Sequence, residues 1–175
     1  MKEGSSIKSI FEKSKSLFSV EFFPPKDEAG GARMLKTAAL IQPHNPDFVS
    51  ITYGAGGGTR ATTMRYAKML KDEHGFEVMP HLTCVGHTKD ELLEILEDFA
   101  NAGFCNIMAL RGDPLKGESQ FRPVPNGFSY ASELVGLIRD NFPHFGIGVG
   151  DTKEAKPFRL WNRRGRYQRG ENIST

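Results

Sequence analysis

The chain has 175 residues, enough for one domain with a real core. Its 38 % hydrophobic and 25 % charged residues are ordinary for a globular protein and exclude a disordered or fibrous chain. A formal charge of +2 is too small to argue for nucleic acid or a membrane surface as partner. There is no apolar run of about 18 residues and no apolar N-terminal segment, so the expectation is a cytoplasmic protein without signal or membrane span. Cys84 and Cys105 lie in or beside apolar runs without framework spacing, and read as buried thiols of a reducing compartment.

In chain order, residues 6 to 15 suit a short helix, with Ser6 as cap and Ile7, Ile10 and Phe11 at helical spacing. Residues 18 to 23 form an apolar, aromatic run closed by Pro24-Pro25, which reads as a strand with Glu21 in its middle. A helix is predicted from about Glu28 to Ile41, with Ala32, Leu35, Ala39 and Leu40 on its apolar side and Gly30-Gly31 weakening its start. The second strand is 48 to 53. The loop Gly54-Ala55-Gly56-Gly57-Gly58-Thr59 leads from it into a helix at about 61 to 73, ended by Gly75.

The third strand is predicted at 77 to 83. Thr88 then caps a helix whose capping box is completed by Glu91 and whose stripe is Leu92, Leu93, Ile95, Leu96, Phe99 and Ala100. A fourth strand at 106 to 110, a Pro/Gly-rich loop from 114 to 127, a helix at about 130 to 140 and a fifth strand at 145 to 149 follow. Strand centres near 20, 50, 79, 108 and 147 recur at about 30 residues with a helix in each interval, the cadence of βα units in a parallel sheet. An α/β protein follows; a (β/α)8 barrel and an open doubly wound sheet both fit.

The polar residues gather at one end of this scheme. Glu21, Thr52-Tyr53, His81-Leu82-Thr83 and Arg111-Gly112-Asp113 all come at the C-terminal ends of predicted strands, where parallel folds build their sites. A carboxylate at Glu21 beside aromatic rings would lose hydration, which raises a carboxyl pKa and suits a general acid; the plainer alternative is a strand-edge residue facing water. Two carboxylates in different surroundings, Glu21 and Asp113, could divide roles, one protonated and one charged. For Arg111-Gly112-Asp113 the alternative is a capped turn with an internal Arg–Asp pair.

Other signals are weaker. The glycine loop at 54 to 59 lacks the third glycine of a dinucleotide fingerprint and the Gly-Lys-Ser/Thr of a P-loop, so it reads as a flexible loop. His81, Cys84 and His87 have a zinc-like spacing, but an extended strand turns His81 and Cys84 to opposite faces and no fourth ligand is near. No metal is expected, and His81 reads as a hydrogen-bond partner at the rim or as a structural histidine.

The wording of five stretches resembles the methylenetetrahydrofolate reductase family. These are Val20-Glu21-Phe22-Phe23-Pro24-Pro25-Lys26, Phe48-Val49-Ser50-Ile51-Thr52-Tyr53-Gly54, Pro80-His81-Leu82-Thr83-Cys84, Ala109-Leu110-Arg111-Gly112-Asp113-Pro114 and Tyr130-Ala131-Ser132-Glu133-Leu134-Val135, in the family's order and spacing. The likeness covers residues 18 to 149 and is nearer to the short bacterial-type enzyme. It implies an FAD-containing (β/α)8 barrel, of which about the first five βα units are present. The implied reaction carries hydride from NADH or NADPH through flavin to 5,10-methylenetetrahydrofolate, giving 5-methyltetrahydrofolate for one-carbon and methionine metabolism. On this resemblance Glu21 matches the general acid that assists opening of the folate's five-membered ring. Asp113 matches the carboxylate beside flavin and pterin, and both would also bind substrate. Thr52, Tyr53, His81, Arg111, Gly112, Asp113, Tyr130 and Ala131 match FAD contacts.

After Val149 the resemblance lapses. Residues 150 to 175 carry Arg159, Arg163, Arg164, Arg166 and Arg169 without an apolar period, and read as a divergent, irregular basic tail following a partial-barrel domain at 1 to 149. The expectation is a truncated product, out of frame after about residue 150, short of the roughly 250 residues typical of such barrels. A basic nucleic-acid arm is the rival reading of the tail, and no nucleic acid is expected. Open sheet edges point to assembly with another copy. Two other functions stand beside the enzyme: an inactive fragment that associates or binds flavin weakly, and a different barrel enzyme. A Schiff-base aldolase, for one, needs a strand-end lysine that none of the five strands supplies.

Overall fold

A computed structural model describes residues 6–13, 16–53, 60–114 and 117–150, with the strand backbones of 159–161 and 167–169. The expectations for the loop at 54–59, for residues 14–15, for 115–116 and for most of the tail lie outside the described residues. Five strands run parallel: β1 (Ser19–Phe22), β2 (Phe48–Ile51), β3 (Val78–Thr83), β4 (Asn106–Leu110) and β5 (Gly146–Val149). Between them lie α2 (Glu28–Ile41), α3 (Arg60–Asp72), α4 (Lys89–Asn101) and α5 (Ala131–Asn141), with α1 (Ile7–Lys13) ahead of β1.

The sheet runs β1-β2-β3-β4-β5 without reversal. A doubly wound sheet reverses its strand order at a switch point; this one does not, and the arrangement is that of the first βα units of a (β/α)8 barrel. The register pairs Glu21 with Ser50, Ser50 with Met79, His81 with Met108 and Met108 with Gly148, so these residues share the inner face. The other face carries Phe22, Val49, Ile51, Val78, Leu82, Ile107, Ala109, Ile147 and Val149 into the core shared with α2 to α5. Burial of each Leu, Ile or Val side chain there contributes about 1.5–3 kcal/mol against chain entropy.

The inner face is closed at its N-terminal end by α1. Ile7, Phe48 and Met79 form a second cluster, joined by Ile10, Phe11, Leu17 and Met108. Asn106 pins the helix: its Oδ1 accepts from the Ile7 backbone N–H at 2.6 Å, and its Nδ2 donates to Glu77 Oε1 at 2.7 Å. Gly146 makes this possible, because a Cβ there would sit 2.4 Å from Asn106 Oδ1.

Three expectations need correction. Helix α2 buries Gly31, Met34 and Ala38, with Leu35 partly buried against the core, whereas Ala32, Ala39 and Leu40 are exposed, Leu40 at 67 %. The reason is Gly31, which seats the ring of Tyr66: a Cβ at 31 would lie 1.8 Å from the Tyr66 hydroxyl. The glycine pair therefore admits α3 to α2, whereas propensity alone reads it as a weakness. The tail is not wholly irregular, since β6 (Arg159–Trp161) pairs antiparallel with β5 and β7 (Tyr167–Arg169) pairs antiparallel with β6. Strands of three residues are too short to show an alternation in sequence. Finally, Cys84 is buried but Cys105 is only partly so.

The capping box of α4 is present, with Thr88 N–H donating to Glu91 Oε2 at 2.8 Å and Glu91 N–H donating to Thr88 Oγ1 at 3.3 Å. No helix among the described residues is long and apolar enough to cross a membrane.

Candidate active site

Because β1 to β5 are parallel, Glu21 near the end of β1 and Asp113 just past β4 stand at the same edge of the sheet. Three polar side chains meet there across adjacent strands. Ser50 Oγ donates to Glu21 Oε2 at 3.3 Å, and His81 Nε2 lies 3.4 Å from that same oxygen.

Their surroundings differ. The Glu21 side chain is 48 % exposed and that of His81 is 9 % exposed. The expectation that aromatic neighbours desolvate Glu21 is therefore not met within this chain: Phe18 and Phe23 are themselves exposed, and β1 is the edge strand. Burial instead falls on His81, whose pKa it pushes down to about 4. Taking the ring out of water disfavours its charged form, and the half-exposed Glu21 side chain does not offset that. At neutral pH His81 is a neutral imidazole and the contact is no ion pair.

Two buried polar atoms of β3 have no hydrogen-bond partner among the described residues: His81 Nε2 and Thr83 Oγ1. Both belong to alternate residues on the inner face.

The other predicted residues divide into two groups. Thr52 follows β2, its N–H donating to Phe22 O at 3.0 Å, with a partly buried side chain. Tyr53 faces the outer core instead; its hydroxyl is 3.0 Å from His87 Nε2, and burial raises its pKa to about 12. Its side chain is not brought to Glu21.

Past β4, Arg111 is exposed, its guanidinium 5.0 Å from the centroid of Phe121 and its Nε donating to Gly112 O at 3.3 Å. The expected alternative of an internal Arg–Asp pair is not formed: Arg111 turns to Phe121, and Asp113 points to solvent. Gly112 has φ of +88°, and a Cβ on it would lie 2.6 Å from Val85 Cγ1. Tyr130 is 65 % exposed, and its N–H and that of Ser129 both donate to Glu133 Oε2. Ala131 opens α5.

Cys84 ties these loops together, its thiol donating to Leu110 O at 3.5 Å and to Tyr130 O at 3.6 Å. Its partners, with those of His81 and His87, show that the His-x2-Cys-x2-His triplet disperses to three separate places. Sequence reasoning placed Thr83 at the rim without giving it a partner, and missed Ser50 and this role of Cys84. Alternation from Phe48 and Glu21 could have set Ser50 on the inner face; an unmet hydroxyl leaves no trace in sequence.

A parallel sheet in unreversed order, helices on its outer face and a carboxylate contacted by a serine and a histidine at its C-terminal edge define a (β/α)8-type protein with an enzyme-like rim. The family model described as methylenetetrahydrofolate reductase matches residues 6–163. Among relatives, methylenetetrahydrofolate reductase (NADH) 1 of Arabidopsis thaliana is 38 % identical over 158 residues, covering 90 % of this chain and 27 % of the relative. The 5,10-methylenetetrahydrofolate reductase of Escherichia coli is 38 % identical over 141 residues, covering 79 % of this chain and 45 % of the relative. Methylenetetrahydrofolate reductase 2 of Saccharomyces cerevisiae is 32 % identical over 146 residues, covering 82 % and 24 %. The chain belongs to the methylenetetrahydrofolate reductase family, and spans from about a quarter to just under half of these relatives' length.

Proposed function

We propose that the rim serves reduction of 5,10-methylenetetrahydrofolate to 5-methyltetrahydrofolate, with NADH or NADPH as reductant and FAD as the bound carrier, in one-carbon and methionine metabolism. The observation that carries this reading is the Glu21 carboxyl held by Ser50 at the C-terminal edge, at the same edge as Asp113. The donor set also suits a flavin: a buried imidazole nitrogen at His81 that makes no hydrogen bond among the described residues, and exposed segments at Arg111 to Asp113 and Tyr130 to Ala131, offer hydrogen bonds and charge to a polar heteroaromatic with a phosphate-bearing tail. Thr52 and the Tyr53 backbone complete the set of residues that would hold it. When bound, the flavin supplies hydride transfer between nicotinamide and folate.

Glu21 supplies the proton. As the five-membered ring opens, its carboxyl protonates the departing ring nitrogen, and the bond to the bridging carbon breaks to leave an iminium ion able to accept hydride. Ser50 fixes the orientation by donating to Oε2, which leaves Oε1 to carry the proton toward substrate. His81 beside it is a neutral imidazole and carries no formal charge. Asp113, exposed just past β4, stabilises cationic folate.

A second reading is favoured by one observation. The edge strand β1 leaves Phe18 and Phe23 exposed and Glu21 half-solvated, which fits a chain that associates with another copy or binds flavin weakly. Purification decides between them. A yellow protein whose flavin absorbance bleaches with NADH and recovers with 5,10-methylenetetrahydrofolate supports the enzyme. Flavin-free protein, or bleaching without recovery, rejects it.

A further inference from the structure

Strand β3 delivers two polar side chains to the inner face, His81 and Thr83, and the second has so far no task. Thr83 is 6 % exposed, and its Oγ1 has no hydrogen-bond partner among the described residues. A buried hydroxyl without a partner destabilises the fold, and native proteins pair almost all such groups. Valine has the same shape and avoids the problem, so folding alone does not account for a threonine here.

What surrounds Thr83 indicates its partner. Gly112, at φ +88°, keeps the neighbouring loop without a side chain where a Cβ would come within 3.1 Å of Thr83 Cβ. Two positions earlier His81 Nε2 is likewise buried and makes no hydrogen bond among the described residues, although it lies 3.4 Å from Glu21 Oε2. Two strand residues advance about 6.6 Å, so one occupant that satisfies both must carry polar atoms along an edge of about that length. The edge of a flavin does so, its ring carbonyls and nitrogens continuing into ribityl hydroxyls.

We propose that Thr83 contacts the cofactor, its hydroxyl forming with His81 Nε2 a two-point hydrogen-bonding strip along β3 for the polar edge of a flavin. This rests on the flavin reading given above. A hydroxyl both donates and accepts, and so adapts to either kind of atom on that edge.

The test is titration of the whole ligand-free chain with FAD, followed by quenching of flavin fluorescence, together with melting of the ligand-free proteins. Thr83→Val should weaken FAD binding about fivefold, the worth of one neutral hydrogen bond, while its melting temperature stays level or rises. Thr83→Ser, which keeps the hydroxyl, should restore affinity. Unchanged affinity in Thr83→Val overturns the assignment, as does a fall in its melting temperature that tracks the affinity loss and is not repaired by serine. A wild-type chain that does not bind FAD defeats the flavin reading itself, and this assignment with it.

Discussion

Ser50 and Glu21 occupy paired positions on β2 and β1, and the serine hydroxyl donates to Glu21 Oε2 across that pair at 3.3 Å. One donor on one carboxyl oxygen makes the two oxygens unequal. That inequality is what an acid needs if its proton is to leave in one direction, and it ties the proposed chemistry to the strand register.

Replacement of Glu21 separates the two half-reactions. Glu21→Gln keeps size and polarity but removes the transferable proton. Reduction of flavin by NADH should proceed at the wild-type rate, and reoxidation by 5,10-methylenetetrahydrofolate should be lost, by a factor of about 100 or more. Stopped-flow absorbance of each half-reaction checks it; equal loss in both contradicts the acid role.

Ser50→Ala should slow only the folate half-reaction, about five- to tenfold, because a net hydrogen bond is worth about 1 kcal/mol. Ser50→Thr retains the hydroxyl and should recover most of the rate. An alanine variant as fast as wild type would mean that the carboxyl is oriented by other groups.

Burial of His81 makes stability depend on pH. Its pKa is about 4 in the fold against 6.5 for the free side chain, so the unfolded chain binds more protons between those values. The contribution is intact above about pH 6.5 and is lost as pH falls toward 4, with an upper bound of about 3 kcal/mol. His87, also shifted down by burial, acts in the same direction. Urea midpoints from pH 7 to 4.5 should therefore decline, and His81→Gln should flatten part of that decline. A slope unaltered by the substitution would place the dependence elsewhere.

At Gly31 the prediction concerns packing. A methyl group there would overlap the Tyr66 hydroxyl, and Tyr66 is only 4 % exposed, with little room to withdraw. Gly31→Ala should cost about 1–3 kcal/mol, the range of overpacked cores, despite alanine's better helix propensity. Gly31→Ala with Tyr66→Leu should recover stability in the same denaturation assay. A stabilised single variant would show that the contact is loose.

At the start of α4, Thr88→Ala removes the hydroxyl that accepts from the Glu91 N–H, and should cost about 1 kcal/mol. Because Glu91 also holds the Thr88 N–H, Glu91→Ala should cost a similar amount, and the double variant less than the two together. Thermal melts of the four proteins measure the coupling.

Much of this protein was legible along its chain. The recurrence of βα units, the extent of β4, the capping box at Thr88 and the placing of Glu21 and Asp113 at strand ends depend on neighbours a few residues apart, and local periodicity records them. Long-range contacts leave no such record. Only the folded chain sets the order of strands without reversal, turns α2 onto Gly31 and Met34, sends Tyr53 outward to His87, and joins Ser50 and His81 at one oxygen of Glu21. Register and helix rotation are chosen by how distant surfaces fit, and a carboxyl's hydration by what covers it; both are properties of the assembled sheet, which is why the burial foreseen for Glu21 fell on His81.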